Sequence, residues 1–323
     1  MTTIQPVVFF FVAGVLAGVI KSDLKIPEAL YKSLSLFLLI AIGFKGGVSM
    51  AKYEIMEVLP IAISMVVLAA LIPLTAYPIL RFIGKFTQAD AGAISAHYGS
   101  VSAVTFAVGV AFLAAKNEPS EGYMVLIMAL MEIPALVTGT VLARAGAGGE
   151  KTQWGKLMHE ILTGTSLYLL IVGVLIGYYA GVVKLVSPLD KMFMDLFMGV
   201  LAFFLLEMGL LAAARLKAVM EKGIFIVAFG ILFPLTAGMF GAYLGWLFGL
   251  SEGGTMLLAV LYASCSYIAA PAAMRIAVSD ADPALSIGAS LGVTFPFNIF
   301  IGNPLKRSII RSQRKRNQLR FPK

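Results

Sequence analysis

Apolar residues run along the chain in ten long stretches, at 4–21, 33–50, 56–83, 89–115, 122–144, 161–183, 190–214, 222–249, 254–278 and 284–305. Each is near or above the roughly 20 residues that carry a helix across a bilayer. Barrel strands would alternate polar and apolar positions over about 10 residues, and that alternation is absent. The pattern predicts an all-α integral membrane protein with ten transmembrane helices. The longest polar stretch, from Arg144 to about Glu160, holds Gly146, Gly148 and Gly149 and reads as a linker near the middle of the sequence. The first run begins at Ile4 with no basic segment before it and no convincing cleavage site after it, so it reads as a span.

The sequences on either side of that linker repeat each other. Gly14-Val15-Leu16-Ala17-Gly18 matches Gly173-Val174-Leu175-Ile176-Gly177 at an offset of 159 residues, and Pro73-Leu74-Thr75-Ala76 matches Pro234-Leu235-Thr236-Ala237 at 161. Tyr98-Gly99-Ser100-Val101-Ser102 matches Tyr262-Ala263-Ser264-Cys265-Ser266 at 164, and Pro134, two residues after Glu132, matches Pro296, two residues after Thr294, at 162. Matches in order with nearly constant offset predict a duplication. Residues 1–144 and 161–305 form two five-helix repeats, with 145–160 between them and 306–323 a basic tail. Five is odd, so the second repeat is inverted. The glycine pairs Gly14/Gly18, Gly43/Gly47, Gly173/Gly177, Gly241/Gly245 and Gly288/Gly292 read as helix-packing positions.

Composition agrees with a bilayer as solvent: 59% of residues are apolar and 13% charged, against about 25% charged in soluble domains. The formal net charge of +8 arises in the last 18 residues, which carry eight Lys and Arg. On a membrane protein such a tail meets lipid headgroups rather than nucleic acid. Loops after the odd-numbered runs hold twelve Lys and Arg, and the other loops and nearby helix ends hold five. That asymmetry puts the odd loops in the cytoplasm and both termini outside an inner (plasma) membrane; the basic tail argues the opposite way. Cys265 is the sole cysteine, so no internal disulfide can form.

Candidate chemistry lies inside the runs. In the fourth, Gly99 can break the helix at low steric cost, and Ser100 or Ser102 can cap the half that follows. In the ninth, Pro271 lacks an N–H and leaves the Tyr267 carbonyl without its helical partner. Interruptions at matching places in two repeats point to a substrate site at the bilayer midplane, and so to a secondary transporter. Two half-helix N-termini, each carrying about +0.5 of a charge, would suit a small anion held by Gly99, Ser100, Val101, Ser102, Ser264, Cys265 and Ser266. Hydroxyls and freed carbonyls suit a hard cation such as Na⁺, with Thr105, Glu132, Thr294 and Asn298 as its candidates. The bland alternative is that the serines bond back to their own helices.

Glu132 sits mid-run, where a carboxylate is expensive. It could ligate a cation, carry a proton, or be neutralised by Lys45. Lys45 and Glu207 hold loosely equivalent places and could pair with each other, or Lys45 could snorkel to the interface. His97 reads as a hydrogen-bonded packing residue beside the break. Two histidines and one cysteine give no metal-ligand spacing. No Gly-rich turn ends in Lys-Ser or Lys-Thr, and no nucleophile–base pair is visible. Primary pumping and enzyme catalysis are therefore not expected.

These motifs carry a family resemblance. Ala129-Leu130-Met131-Glu132-Ile133-Pro134-Ala135-Leu136-Val137, the segment from Gly99 to Thr105, Ala263-Ser264-Cys265-Ser266 with Pro271, and Ile42-Gly43-Phe44-Lys45-Gly46-Gly47 resemble the sodium-dependent bicarbonate transporter family of the SbtA type, across all ten runs. The resemblance implies two inverted sets of five helices, a homotrimer, Na⁺-coupled bicarbonate uptake, both termini outside, and a small signalling protein as regulator. The chain departs from the family's pattern at Lys45, where a Thr is expected, and at Glu132, which replaces an Asp. It also departs at Tyr267, in place of an acidic residue, and at Ala269-Ala270, in place of Ser-Gly. The reading is a secondary active transporter of a small inorganic anion, with Na⁺-coupled bicarbonate uptake by alternating access first. The alternatives are transport of another solute, such as an organic anion, on the same scaffold, and a membrane sensor that moves nothing.

Overall fold

The computed structural model describes residues 5–145, 153–186, 189, 191–221 and 223–302, and every regular element among them is helical. In chain order the helices are α1 (Pro6–Val19), α2 (Glu28–Met50), α3 (Ile55–Ile83), α4 (Gln88–Gly99), α5 (Ala103–Ala114), α6 (Met124–Arg144) and α7 (Trp154–Thr163). They continue with α8 (Thr165–Val182), α9 (Phe197–Glu221), α10 (Ile224–Leu247), α11 (Glu252–Ala263), α12 (Ala269–Ala277) and α13 (Pro283–Phe300). Among the described residues eight helical stretches are long and apolar enough to cross a membrane, α4 and α5 counting together as one, and α1 and α11 are shorter apolar helices.

Local chemistry shifts several expected boundaries. α2 begins at Glu28 rather than 33, because Lys32 pairs with Glu28 at 2.7 Å across the exposed first turn. Residues 154–160 of the segment read as a linker belong to α7, whose Leu157 and Ile161 are buried while Lys156 is exposed. One apolar stripe of this kind makes a short surface helix. The ranges 89–115 and 254–278 are each two helices, divided by extended backbone. α13 is π-helical from Gly288 to Thr294, a wide-turn geometry that recurs at functional positions. Residue 4, residues 146–152 and the basic tail at 306–323 lie outside the described residues.

The glycine pairs do pack helices together. A Cβ on Gly14 would run into the backbone of Leu206, and Gly18 faces Ala213, so α1 lies parallel to α9. Gly43 meets Gly173, and Gly47 meets Val174 and Tyr178, so α2 lies parallel to α8. Gly241 and Gly245 admit α11 at Leu258 and Thr255. Gly288 and Gly292 face Val219 and Leu216 of α9. The interrupted stretch Gln88–Ala114 is innermost: 89% of its apolar window is buried, against 28% for Ile55–Ile83. Its position, not its hydropathy, sets it apart, and it delivers the polar motif to the centre of the bundle.

Candidate functional site at the helix interruptions

The two interruptions are stitched to each other. α4 ends at Gly99, and Ser100 and Ser102 take extended backbone before α5 begins. α11 ends at Ala263, and Ser264 is likewise extended before α12 begins at Ala269. The Ser102 N–H donates to Ser264 Oγ at 3.0 Å, and the Ser266 N–H donates to the His97 carbonyl at 2.9 Å. Each break therefore satisfies backbone groups that the other helix loses. Ser102 is the N-cap of α5, its Oγ accepting from the Thr105 N–H at 3.1 Å, and Ser266 Oγ, before α12, accepts from the Ala270 N–H at 3.1 Å.

The leading tyrosines fix the two motifs to the bundle. Tyr98 OH meets Thr294 Oγ1 at 2.8 Å, and Thr294 Oγ1 donates to the Gly230 carbonyl at 2.7 Å. Tyr262 OH donates to the Met65 carbonyl at 2.8 Å. Gly99 differs from the expectation. Its backbone is not left-handed, and its missing Cβ matters because Pro73 Cδ would lie 2.6 Å away. The glycine is a close-approach position against α3 and Ala135, rather than a flexible joint. Pro271 also plays a milder part than expected. It falls in the first turn of α12, where a missing N–H is tolerated, and the break has already occurred at Ser264.

Beside the crossing is a cavity of about 20 Å³, lined by Val101, Ser102, Ala103, Met128, Glu132, Ser166, Leu170, Ser266, Tyr267, Ile268 and Ala269. That volume holds about one water-sized particle. The N-terminal ends of α5 and α12 both reach it, and so does the carboxylate-bearing residue of α6. Glu132 is 5% exposed and has no hydrogen bond or ion pair among the described residues. Lys45 does not neutralise it and does not pair with Glu207; its ammonium instead sits 4.5 Å from the Phe197 ring centroid.

Of the residues proposed for an anion, Val101, Ser102 and Ser266 line this cavity. Ser264 touches it only through Ser102, and Ser100 is fully buried with its hydroxyl unpartnered among the described residues. Cys265 turns away, its thiol donating to the Ser290 carbonyl at 3.6 Å. Of the residues proposed for a cation, Glu132 lines the cavity. Thr105 lies at the α5 cap, Thr294 is engaged by Tyr98 and Gly230, and Asn298 Nδ2 donates to the Ala263 carbonyl at 2.7 Å. Two hydroxyl-bearing lining residues were not among the sequence candidates. Tyr267 OH accepts from the Ser102 hydroxyl at 3.1 Å; it directly follows the serine motif. Ser166 opens α8 within the polar string Thr163-Gly164-Thr165-Ser166.

A polytopic helical chain whose polar groups converge where two interrupted helices cross belongs with membrane proteins that handle small polar solutes. Residues 6–311 match the family model of the Na⁺-dependent bicarbonate transporter superfamily, and the chain belongs to that family. The family is one of transporters. A comparison with curated proteins finds no match.

Proposed function

We propose that the protein is a secondary active transporter that takes up bicarbonate with Na⁺ by alternating access. It does so across the inner membrane, through ten spans in two inverted repeats with both termini outside. The observation that carries this reading is the shared cavity: two helix N-termini and one unpaired carboxylate face the same small space. Helix N-termini attract an anion, whereas Glu132 repels one. A Na⁺ ion at Glu132 removes that repulsion, so each ion raises the affinity for the other; such linkage is reciprocal. Ser102, Ser266 and Tyr267 supply hydroxyls to orient the anion, and the stitched breaks hold both helix ends in register.

The inverted-repeat part draws support from the reciprocal packing of α1 on α9 and α8 on α2, in which each repeat's first helix meets the other's second. A cavity of about 20 Å³ must widen to admit bicarbonate. It would have to widen further for an organic anion, which favours the inorganic cargo. The homotrimer that the resemblance implies belongs to the same proposal.

The test is uptake of radiolabelled bicarbonate into proteoliposomes under an inward Na⁺ gradient, with K⁺ replacing Na⁺ in the control. Uptake that requires the Na⁺ gradient is expected. Equal uptake in both would end the coupling claim, and none in either would end the cargo claim.

A further inference from the structure

A second cavity, of about 170 Å³, lies apart from the Glu132 site and includes Lys45, Ser49, Phe106, Glu121, Val125 and Phe197 in its walls. Phe106 is one turn beyond Ser102 on α5, and Val125 precedes Glu132 on α6 by seven residues, about 10 Å along a helix. The two cavities therefore occupy different depths, and the Lys45 cavity is nearer the C-terminal end of α2, where Ser49 packs on Gly122.

Lys45 is half-buried, and its one recorded partner is the Phe197 ring. No carboxylate among the described residues pairs with it. Glu121 shares the cavity but turns its oxygens to the start of α11: Oε1 accepts from the Ser251 N–H at 2.6 Å, and Oε2 from the Ser251 hydroxyl at 2.9 Å. The positive end of α11 offsets that carboxylate locally. A cation at membrane depth that faces a roomy cavity and is paired with no carboxylate among the described residues marks an ion path.

We propose that the Lys45 cavity is a second anion site, which gathers a small oxyanion such as bicarbonate before it reaches the helix crossing. Its cargo rests on the reading above; the site itself does not. Lys45 supplies the charge, Ser49 and Ser120 supply hydroxyls, and Phe197 holds the ammonium in place by its ring face.

The site is tested without transport by Ser49→Cys, read against the native Cys265, which is only 2% exposed. Labelling rates of an anionic and a cationic methanethiosulfonate are compared in purified full-length protein. The anionic reagent is expected to react faster, and that preference to fall about tenfold on adding Lys45→Gln but not Lys45→Arg. In proteoliposomes Lys45→Gln should raise the KM for bicarbonate by a similar factor, with the maximal rate within about twofold. A reagent preference indifferent to Lys45 overturns the site. A preference that depends on Lys45, in a protein that takes up no bicarbonate, upholds the site and overturns the cargo instead.

Discussion

The two interrupted helices carry the same five-residue motif and use it differently. In α11–α12, Ser264 Oγ accepts from the Ser102 N–H and donates its own hydrogen bond to the Leu261 carbonyl at 2.8 Å. Its counterpart Ser100 is buried with an unpartnered hydroxyl. Glu132, on α6, is open to the cavity, whereas the matching Thr294, on α13, is tied to Tyr98 and Gly230. The second break places Tyr267 on Ser102. Of two copies of one motif, the first thus lies beside the carboxylate and the second braces it. The lesson is that a repeated motif marks which helices break and meet, not which copy of each residue faces the cavity.

The largest expected effect comes from exchanging charge for brace. Glu132→Gln should lower bicarbonate uptake at limiting Na⁺ by roughly tenfold, with thermal unfolding unchanged. Thr294→Val should do the reverse, leaving Na⁺ dependence within about twofold and lowering stability by about 1–3 kcal/mol, because the Gly230 carbonyl and Tyr98 hydroxyl lose a buried partner. Similar Na⁺ dependence in the two variants would erase the division between halves.

The next contrast lies within the serine pair. Ser264→Ala strips the acceptor from the buried Ser102 N–H and should cost about 1–3 kcal/mol. Ser100→Ala removes a hydroxyl that has no partner among the described residues and should be neutral or stabilising. Chemical denaturation of both variants in detergent decides the point; equal losses would mean that Ser100 is engaged in solution.

The smallest effect separates capping from ion contact. Ser102→Gly should change stability by only a few tenths of a kcal/mol, and Ser102→Ala by about 1 kcal/mol. If both variants raise the bicarbonate KM alike, the hydroxyl touches the ion. If only the alanine variant does, its part is confined to the cap.

Much of this arrangement was legible in the sequence because it depends on spacing. Apolar run lengths located the membrane-length helices, and glycines four apart located the close contacts of α1 with α9 and of α2 with α8. The Tyr-x-Ser-x-Ser pattern located both breaks, since extended backbone inside an apolar run needs hydroxyls to satisfy it. What escaped depends on three-dimensional neighbours. Gly99 reads as a joint until Pro73 is seen against it. Lys45 reads as a partner for Glu132 until the two are found in different cavities, and Tyr267 reads only as the loss of an acidic residue until its hydroxyl is found on Ser102. α7 was hidden by the glycines before it, although Trp154, Leu157, Met158 and Ile161 fall at helical spacing.

The central claim is that one cavity couples cation and anion through Glu132. It is met most directly by measuring bicarbonate affinity of the purified protein with and without Na⁺, and Na⁺ affinity with and without bicarbonate. The account predicts the same ratio from both directions, about tenfold in the unsubstituted protein and near one in Glu132→Gln. Bicarbonate affinity indifferent to Na⁺ in the unsubstituted protein, or an undiminished ratio in Glu132→Gln, would contradict it.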